Sequence, residues 1–227
     1  MSEHSESPGA VTRAEQVRIT EIFLSLQGES TRVGLPTVFV RLTGCPLRCG
    51  YCDTAYAFHG GRLTSIGEVV DRVVGYDTAH VTVTGGEPLA QPAALPLLSQ
   101  LVDAGLHVSL ETSGALDVSR VDPRVNKVVD IKTPGSGEVG RNLWSNLAHC
   151  GERDELKFVL TGRSDYEWAK LKCDELGLYG GPAEVLFSPA AGSLAPRDLA
   201  DWIVADRIRV RLQIQLHKLL WNDEPGR

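Results

Sequence analysis

Short runs rich in β-branched and aromatic residues alternate along the chain with amphipathic segments of helical spacing. This alternation predicts an α/β domain with mostly parallel strands, because parallel neighbours need a long crossover that a helix can supply. An open doubly wound sheet and a barrel both satisfy the pattern. The predicted strands are Ile19–Leu24, Thr37–Leu42, His80–Thr84, His107–Glu111, Lys127–Ile131, Leu156–Leu160, Glu184–Phe187 and Ile208–Leu216.

The predicted helices have recognisable starts. Ser65 with Glu68 and Ser164 with Glu167 have the spacing of capping boxes, in which each side chain satisfies a backbone N–H at the helix start. Pro196 is suited to the first turn of a further helix. Each of these segments would cross between two predicted strands.

Composition and charge bound the class of protein. The 227 residues are 42% hydrophobic and 23% charged, which suits one globular domain over 17–227 after a disordered N-terminal tail over 1–16. The tail lacks the apolar core of a signal peptide, and no apolar run approaches the ~20 residues of a membrane span, so we expect a cytoplasmic protein. The net charge of −6 argues against a nucleic-acid surface and favours a small-molecule partner. The isolated Cys150 and Cys173 are predicted core residues.

Polar or glycine-rich segments follow most of the predicted strands. In parallel α/β folds ligands bind at the carboxyl ends of strands, so these segments predict one rim around one site. The segments are Gln27–Glu29, Thr43–Cys45, Thr84–Pro88, Glu111–Gly114, Lys132–Pro134, Ser188–Pro189 and His217.

The cysteines of one loop have the spacing C-x3-C-x2-C. Three thiolates, Cys45, Cys49 and Cys52, can wrap a soft metal centre. One interpretation is zinc with a fourth ligand such as His59. The other is an iron–sulfur cubane with three protein-bound irons and one iron left open for a small chelating ligand.

A second signal accompanies this loop. The turn Thr84–Pro88 follows an apolar strand, and its glycines allow a ligand to approach the backbone closely. The cysteine spacing, with aromatic Tyr51 before the last cysteine, and this turn together resemble the radical S-adenosylmethionine (SAM) superfamily. The resemblance implies a [4Fe–4S] cluster on Cys45, Cys49 and Cys52, which would be catalytic, and SAM as cofactor.

A closer resemblance, from about Ile19 to the C-terminus, is to the 7-carboxy-7-deazaguanine synthases of queuosine biosynthesis, a tRNA modification pathway. It implies a reduced partial (β/α) barrel and a radical SAM carbon–nitrogen lyase. Such an enzyme converts 6-carboxy-5,6,7,8-tetrahydropterin to 7-carboxy-7-deazaguanine with loss of ammonia. It further implies Mg2+, a flavodoxin-type electron donor and a homodimer. The matching segments are Ser25–Glu29, Phe39–Cys45, Cys52–Thr54, Thr84–Pro88, Leu110–Thr112, Ile131–Pro134, Phe187–Pro189 and Gln215–Lys218.

The same resemblance implies roles for individual residues. SAM contacts fall on Tyr51, Cys52, Asp53, Gly86, Lys132, Thr133, Pro134, Ser188, Pro189, Ala190 and Ala191, with the individual contacts in 132–134 and 188–191 left open. Contacts to the pterin fall on Leu26, Gln27, Gly28, Arg41, Thr84 and His217. Thr54 matches the residue whose hydroxyl binds Mg2+.

Several points stay open at this stage. Glu111 suits either a SAM contact or a structural bond between strands. His217 would extend the polar face of the last strand, toward either the lumen or solvent, and the resemblance favours the lumen. The segment 221–227 could close over the pterin or trail in solvent. The alternative functions are a glycyl-radical-enzyme activase and a non-catalytic zinc or iron–sulfur module.

Overall fold

The computed structural model describes residues 15–222, 224 and 226. The predicted tail lies outside the described residues as far as residue 14, and Gln16 already belongs to the first strand. No helix within the described ranges combines the length and the apolar character that crossing a bilayer requires.

The described residues contain one nine-stranded sheet in the order β3-β1-β2-β4-β5-β6-β7-β8-β9. All neighbouring pairs from β2 to β9 are parallel, whereas β1 runs antiparallel to both β2 and β3. The strands are β1 Gln16–Leu26, β2 Pro36–Leu42, β3 Arg62–Ser65, β4 His80–Gly85, β5 His107–Thr112, β6 Asn126–Ile131, β7 Glu155–Leu160, β8 Glu184–Pro189 and β9 Arg211–Leu212. The α-helices are α1 Ile66–Val74, α2 Ala94–Asp103, α3 Arg163–Glu175, α4 Pro196–Asp206 and α5 Leu216–Trp221.

The two faces of the parallel strands differ because side chains alternate along a strand. On β4 the apolar Val81 and Val83 pack into one hydrophobic core with α1 and α2. A second core joins β6, β7 and β8 to α3 and α4. The opposite face of β4 carries Thr82 and Thr84, both buried. The helices therefore cover the apolar face, and the polar face turns inward.

The sheet is curved. Lys157 on β7 forms an ion pair with Glu29, in the loop after β1, at 2.7 Å, although several strands lie between them in the sheet order. Contact between side chains from distant strands requires the sheet to bend around its inner face. This curvature, the parallel strands and the outer helices agree with the predicted partial barrel.

The predicted strand over Ile208–Leu216 is wrong for most of its length. Only Arg211–Leu212 pairs with β8, and α5 begins at Leu216. The chain leaves the sheet because the buried side chain of Gln213 donates to Glu29 at 3.1 Å and accepts from the backbone N–H of Ser30 at 2.7 Å. These bonds hold the segment against another loop. His217 consequently lies on a helix and not on the polar face of a strand.

One capping prediction is confirmed in part and another is wrong. Ser65 accepts from the backbone N–H of Glu68 at 3.2 Å, and Pro196 begins α4 as expected. Helix α3, however, begins at Arg163 after Gly162, so Ser164 and Glu167 do not form its capping box. Arg163 instead forms an ion pair with Glu167 one turn later, which removes the carboxylate from the helix start.

The second hydrophobic core gives a testable measure of packing. Phe158 on β7 is fully buried, and its ring meets Phe187 edge-on at 5.4 Å between centroids. We expect Phe158→Ala to lower the free energy of unfolding by about 3–5 kcal/mol, because it removes apolar contacts and leaves a cavity. Chemical denaturation measures the change. Val204→Ala is the control, since Val204 is 75% exposed and its loss should cost under about 0.5 kcal/mol. Equal effects would contradict this description of the core.

Candidate active site

A cavity of about 570 Å3 occupies the inside of the curved sheet. This volume lies in the range of sites for small molecules and cofactors. Its walls come from the inward faces of β1, β2 and β4 to β8, and from the cysteine loop and α5. The predicted site residues that line it are Leu26, Gln27, Gly28, Arg41, Cys45, Cys49, Tyr51, Cys52, Asp53, Thr54, Thr84, Gly86, Lys132, Ser188, Pro189, Ala190, Ala191 and His217.

Two predicted SAM contacts lie outside this lining. Thr133 is fully buried, and its hydroxyl donates to the backbone carbonyl of Val159 at 2.9 Å. Pro134 begins a short 3-10 turn. In this structure both residues shape the loop that follows Lys132, which does line the cavity.

The loop after β1 reaches the cavity from the opposite side to the other strand ends. Because β1 is antiparallel to β2, its end lies at the amino ends of the parallel strands, so the single predicted rim is wrong for this segment. The floor loop, residues 27–31, turns inward from there. The Gln27 side-chain amide donates to Thr82 at 3.1 Å and to Glu111 at 3.4 Å, while Thr31 donates to Glu155 at 2.6 Å. These bonds make the loop the floor of the cavity.

The three clustered cysteines form one wall. Cys45, Cys49 and Cys52 are free thiols of intermediate exposure, and all three line the cavity. Burial raises the pKa of Cys45 and of Cys49 above the ordinary thiol value, and the neighbouring thiols raise it further. A metal centre that binds these cysteines would therefore have to displace the protons of their thiols.

The loop around these thiols is held by Arg48. Its guanidinium donates to the backbone carbonyls of Cys45 at 2.8 Å and Leu47 at 2.6 Å, and lies over the ring of Phe58 at 4.2 Å from its centroid. Satisfying these carbonyls with one rigid planar group fixes the loop before any ligand binds.

The thiols suit a cluster better than a single ion. His59 is exposed and does not line the cavity, which argues against the interpretation as a Cys3His zinc site. A cubane in which three irons are bound by cysteine needs no fourth protein ligand, whereas a structural zinc site does. Tyr51 also has a buried hydroxyl without a hydrogen-bond partner in the described chain, which leaves a polar atom for a ligand beside the thiols.

The glycine turn after β4 is joined to the cysteine loop. A Cβ added at Gly86 would stand 2.2 Å from the carbonyl oxygen of Gly44 and 2.9 Å from Cβ of Cys45, so no side chain fits there. The backbone N–H of Glu87 donates to the Gly44 carbonyl at 2.8 Å. Glycine at position 86 thus lets two chain segments of the site lie in direct contact.

Glu87 anchors this turn to the end of the neighbouring strand β5. Its side chain is fully buried and accepts from the Thr112 hydroxyl at 2.9 Å and from both the backbone N–H and the hydroxyl of Ser113. These bonds connect the end of β4 to the end of β5. The sequence contained the signal, an acidic residue between Gly-Gly and proline, but it did not reveal the partners.

A row of charges crosses the inner face. Glu29, Lys157, Asp130 and Lys132 form consecutive ion pairs of 2.7, 3.2 and 2.8 Å. Burial alone would lower the pKa of Lys157, but the carboxylates of Asp130 and Glu29 outweigh it and hold that pKa well above its ordinary value. Sequence reasoning missed Lys157 and Asp130. The available signal was a charged residue in the middle of each of two predicted buried strands.

Glu111 lies beside this row and faces the cavity. Its carboxyl accepts from the Thr84 hydroxyl at 3.0 Å, besides its contact with Gln27. Burial raises the pKa of Glu111, although the cation of Lys157 opposes the shift. Both roles left open by the sequence are compatible with this position, since the side chain joins two strands and also lines the cavity.

Arg41 lines the cavity near the carboxyl end of β2. Its Nε donates to Glu21 at 2.7 Å, and the same carboxylate oxygen accepts from the Tyr56 hydroxyl at 2.8 Å. The guanidinium lies 6.0 Å from the ring centroid of Phe23 and 5.8 Å from that of Tyr56. Since Nε is engaged, the two terminal nitrogens are the edge available to an anionic ligand.

His217 reaches the cavity from α5. A Cβ added at Gly28 would stand 2.1 Å from Nδ1 of His217, so the imidazole packs directly on this glycine of the floor loop. The backbone N–H of Leu216 donates to the Gly28 carbonyl at 2.9 Å. Nearby, Asp53 accepts from Gln215 at 3.1 Å, and the Thr54 hydroxyl lies 3.8 Å from the sulfur of Cys52.

Comparison with known proteins agrees with this geometry. Residues 39–128 match the Radical SAM superfamily. The chain is 46% identical over 211 residues to the 7-carboxy-7-deazaguanine synthase of Chlorobaculum tepidum, covering 92% of this chain and 96% of that protein. The chain belongs to the 7-carboxy-7-deazaguanine synthase family. The synthase of Koribacter versatilis is 42% identical, covering 92% of this chain and 98% of the relative.

A solved structure extends the agreement to the fold. The crystal structure of QueE from Escherichia coli superposes with a TM-score of 0.71 at 28% identity, covering 89% of this chain and 95% of that one. The family and the fold class predicted from the cysteine loop, the glycine turn and the strand pattern are thereby confirmed. Membership of the radical SAM superfamily also carries its cofactors, a [4Fe–4S] cluster and SAM.

The contact between glycine turn and cysteine loop leads to a prediction. In Gly86→Ala the new methyl group must displace Gly44 or Cys45, and a displacement of about 1 Å can lower a catalytic rate roughly 100-fold. We therefore expect SAM cleavage to fall by about that factor, with less iron bound per chain after anaerobic reconstitution. Gly67→Ala is the control, because a Cβ at Gly67 on helix α1 meets nothing within 4 Å. Wild-type iron content and cleavage in Gly86→Ala would contradict the proposed contact.

Proposed function

We propose that this protein is a radical SAM lyase that converts 6-carboxy-5,6,7,8-tetrahydropterin to 7-carboxy-7-deazaguanine with release of ammonia. The observation that carries the proposal is the 46% identity to a synthase of that name over 92% of the chain. It is supported by the cavity, which both the cysteine loop and the floor loop line.

The cysteine side of the cavity would hold the cofactors. Cys45, Cys49 and Cys52 would each bind one iron of the cluster, leaving the fourth iron for the amino and carboxylate groups of SAM. When bound and reduced, the cluster supplies one electron to the sulfonium of SAM. The backbone at Gly86 and the side chain of Lys132 lie on this side and would contact SAM.

The pterin would lie between the floor loop and Arg41, which is near the carboxyl end of β2. Arg41 offers its terminal nitrogens to the carboxylate of the substrate, as a guanidinium binds a carboxylate with two parallel hydrogen bonds. The floor loop and His217 offer donors and acceptors to the edge of the ring system. Glu111 lies between the two sides. We propose that these residues hold the substrate in register with SAM and that the enclosing sheet limits access of water.

A divalent cation has a clear electrostatic reason to bind. The cavity lining contains more acidic than basic groups, and the substrate would add a further carboxylate. The acidic groups are Glu21, Glu29, Asp53, Glu111, Asp130 and Glu224, and the basic groups are Arg41, Lys132, Lys157 and Lys218. Mg2+ prefers oxygen ligands and retains several from water or substrate, so the single hydroxyl of Thr54 is chemically acceptable as a protein ligand.

The activase alternative fits the molecule less well. Activases often carry additional clusters, but Cys150 and Cys173 are only 8% and 0% exposed. Burial raises the pKa of Cys150 to about 11 and that of Cys173 to about 12, so both remain protonated core residues at neutral pH. Residues 27–29 of the floor loop also close one side of the cavity, which suits a small molecule better than a protein segment.

The remaining assignments follow from the family. We propose a flavodoxin-type protein as electron donor, a homodimer as the functional assembly and the cytoplasm as its location. Reduction by purified flavodoxin would test the electron donor, and chemical cross-linking would test the homodimer.

The decisive experiment is anaerobic incubation with the pterin, SAM, Mg2+ and a reductant, followed by mass spectrometry. We expect the deazapurine and ammonia, with SAM regenerated. Cys49→Ala should abolish SAM cleavage, because one iron loses its ligand, while the thermal unfolding midpoint stays near wild type. Cys150→Ala, a cysteine outside the loop, should remain active.

Three results would contradict parts of this proposal. Retained SAM cleavage in Cys49→Ala would refute the assignment of the cluster ligand. A wild-type protein that cleaves SAM but yields no deazapurine would refute the substrate. A radical on the glycine of a partner protein would establish the activase function.

The role of Thr54 can be separated from SAM binding. Loss of outer-shell partners typically costs metal sites about 10- to 100-fold, so loss of a direct oxygen ligand in Thr54→Ala should weaken Mg2+-dependent turnover at least as much. The dissociation constant for SAM should change little. Thr54→Ser retains the hydroxyl and should keep most of the activity in a Mg2+ titration. Equal losses of SAM affinity and turnover would count against a role in binding Mg2+.

A further inference from the structure

Lys157 is a buried cation with no role in the function proposed above. Its side chain is 9% exposed on the inner face of β7. The ammonium lies 2.7 Å from Oε2 of Glu29 and 3.2 Å from Oδ1 of Asp130. Burying an ammonium is costly unless it is paired, and these two carboxylates, with Glu111 nearby, keep it charged.

The first carboxylate belongs to the floor of the cavity. Oε1 of Glu29 accepts from Gln215 at 2.8 Å, and Oε2 accepts from Gln213 at 3.1 Å in addition to Lys157. These amides belong to the segment that carries His217 into the cavity. A ligand that contacts the floor therefore acts on a carboxylate already shared with Lys157.

The second carboxylate belongs to the cofactor side. Oδ2 of Asp130 accepts from Lys132 at 2.8 Å, while Oδ1 faces Lys157. The cations of Lys132 and Lys157 lower the pKa of Asp130 against the opposing effect of burial, so this carboxyl is ionised between them. Lys132 lines the cavity on the same side as Cys49 and Tyr51.

We propose that Lys157 is a positioning residue that energetically couples pterin binding at the floor to SAM binding at the cysteine side. The inference rests on the function proposed above. When the pterin donates a hydrogen bond to Glu29, that carboxylate becomes a weaker partner for Lys157. Lys157 then neutralises Asp130 more fully, which frees Lys132 to interact with the carboxylate of SAM. Each ligand thus strengthens the binding of the other, as thermodynamic linkage requires.

A purely structural ion pair is the competing explanation, and the chain provides a control for it. Lys127 on β6 pairs with Asp154 at 2.9 Å, and their side chains are 7% and 5% exposed. Neither residue lines the cavity. Removing either buried lysine should destabilise the fold similarly, because a carboxylate loses its partner. Only the loss of Lys157 should change the coupling between ligands.

The test measures binding rather than turnover. Reconstituted, unreduced protein is titrated anaerobically with 6-carboxypterin, with and without saturating SAM, in a calorimeter. For the wild type we expect SAM to lower the dissociation constant of the pterin by about 5- to 150-fold, the usual range of such coupling. In Lys157→Met that ratio should approach one, whereas Lys127→Met should retain the wild-type ratio.

Further variants keep the inference testable if Lys157→Met does not fold. Glu29→Gln and Asp130→Asn preserve shape and interrupt the row of charges at either side of Lys157, so each should also bring the ratio close to one. The ratio cancels any direct loss of affinity that a variant causes for one ligand alone.

Distinct outcomes separate this inference from the proposed function. If the wild type forms no deazapurine from 6-carboxy-5,6,7,8-tetrahydropterin, the proposed function fails and the inference falls with it. If it forms the product but binds no 6-carboxypterin even with saturating SAM, the expected coupling is absent and the inference alone fails. If it binds 6-carboxypterin but SAM leaves the dissociation constant unchanged, coupling is refuted. Coupling that persists in the Lys157 and Glu29 variants, or disappears equally in Lys127→Met, refutes the role of Lys157 while the proposed function stands.

Discussion

Ionised groups inside a protein persist only when oppositely charged partners replace the water that they lose. In this chain the inner face of the sheet satisfies that condition with a row of alternating carboxylates and ammonium groups, centred on Lys157. Because the members come from the floor loop and from two neighbouring strands, their pairing connects the floor of the cavity to the strands across it. The apolar cores on the outer face of the sheet supply the stability that offsets the cost of burying these charges.

Much of the architecture was predictable because its signals are local. Strand and helix patterns predict the parallel sheet, and the spacing of Cys45, Cys49 and Cys52 with the turn at Gly86 indicates the family. The antiparallel direction of β1 was missed, although a short connection to β2 without a helix was available as a signal. That direction moves the floor loop to the other side of the cavity from the cysteines.

The remaining differences come from partners that are distant in sequence. Lys157 and Glu29 are separated by 128 positions, and no periodicity within either segment predicts their contact. The alternation before His217 resembles a strand, but the bonds of Gln213 to the floor loop draw the chain out of the sheet. The local sequence pattern therefore predicts that His217 lies near the cavity, whereas side-chain hydrogen bonds distant in sequence determine that it lies on a helix.

The bond between Leu216 and Gly28 joins the end of the described chain to a loop near its beginning. During synthesis the cysteine loop leaves the ribosome before the segment that contains Leu216 and His217. The three thiols of a nascent chain can therefore be exposed before the wall of the cavity opposite them is complete. Cluster delivery has an open route during that interval, whereas chemistry on a substrate must wait until that segment has packed against the floor loop.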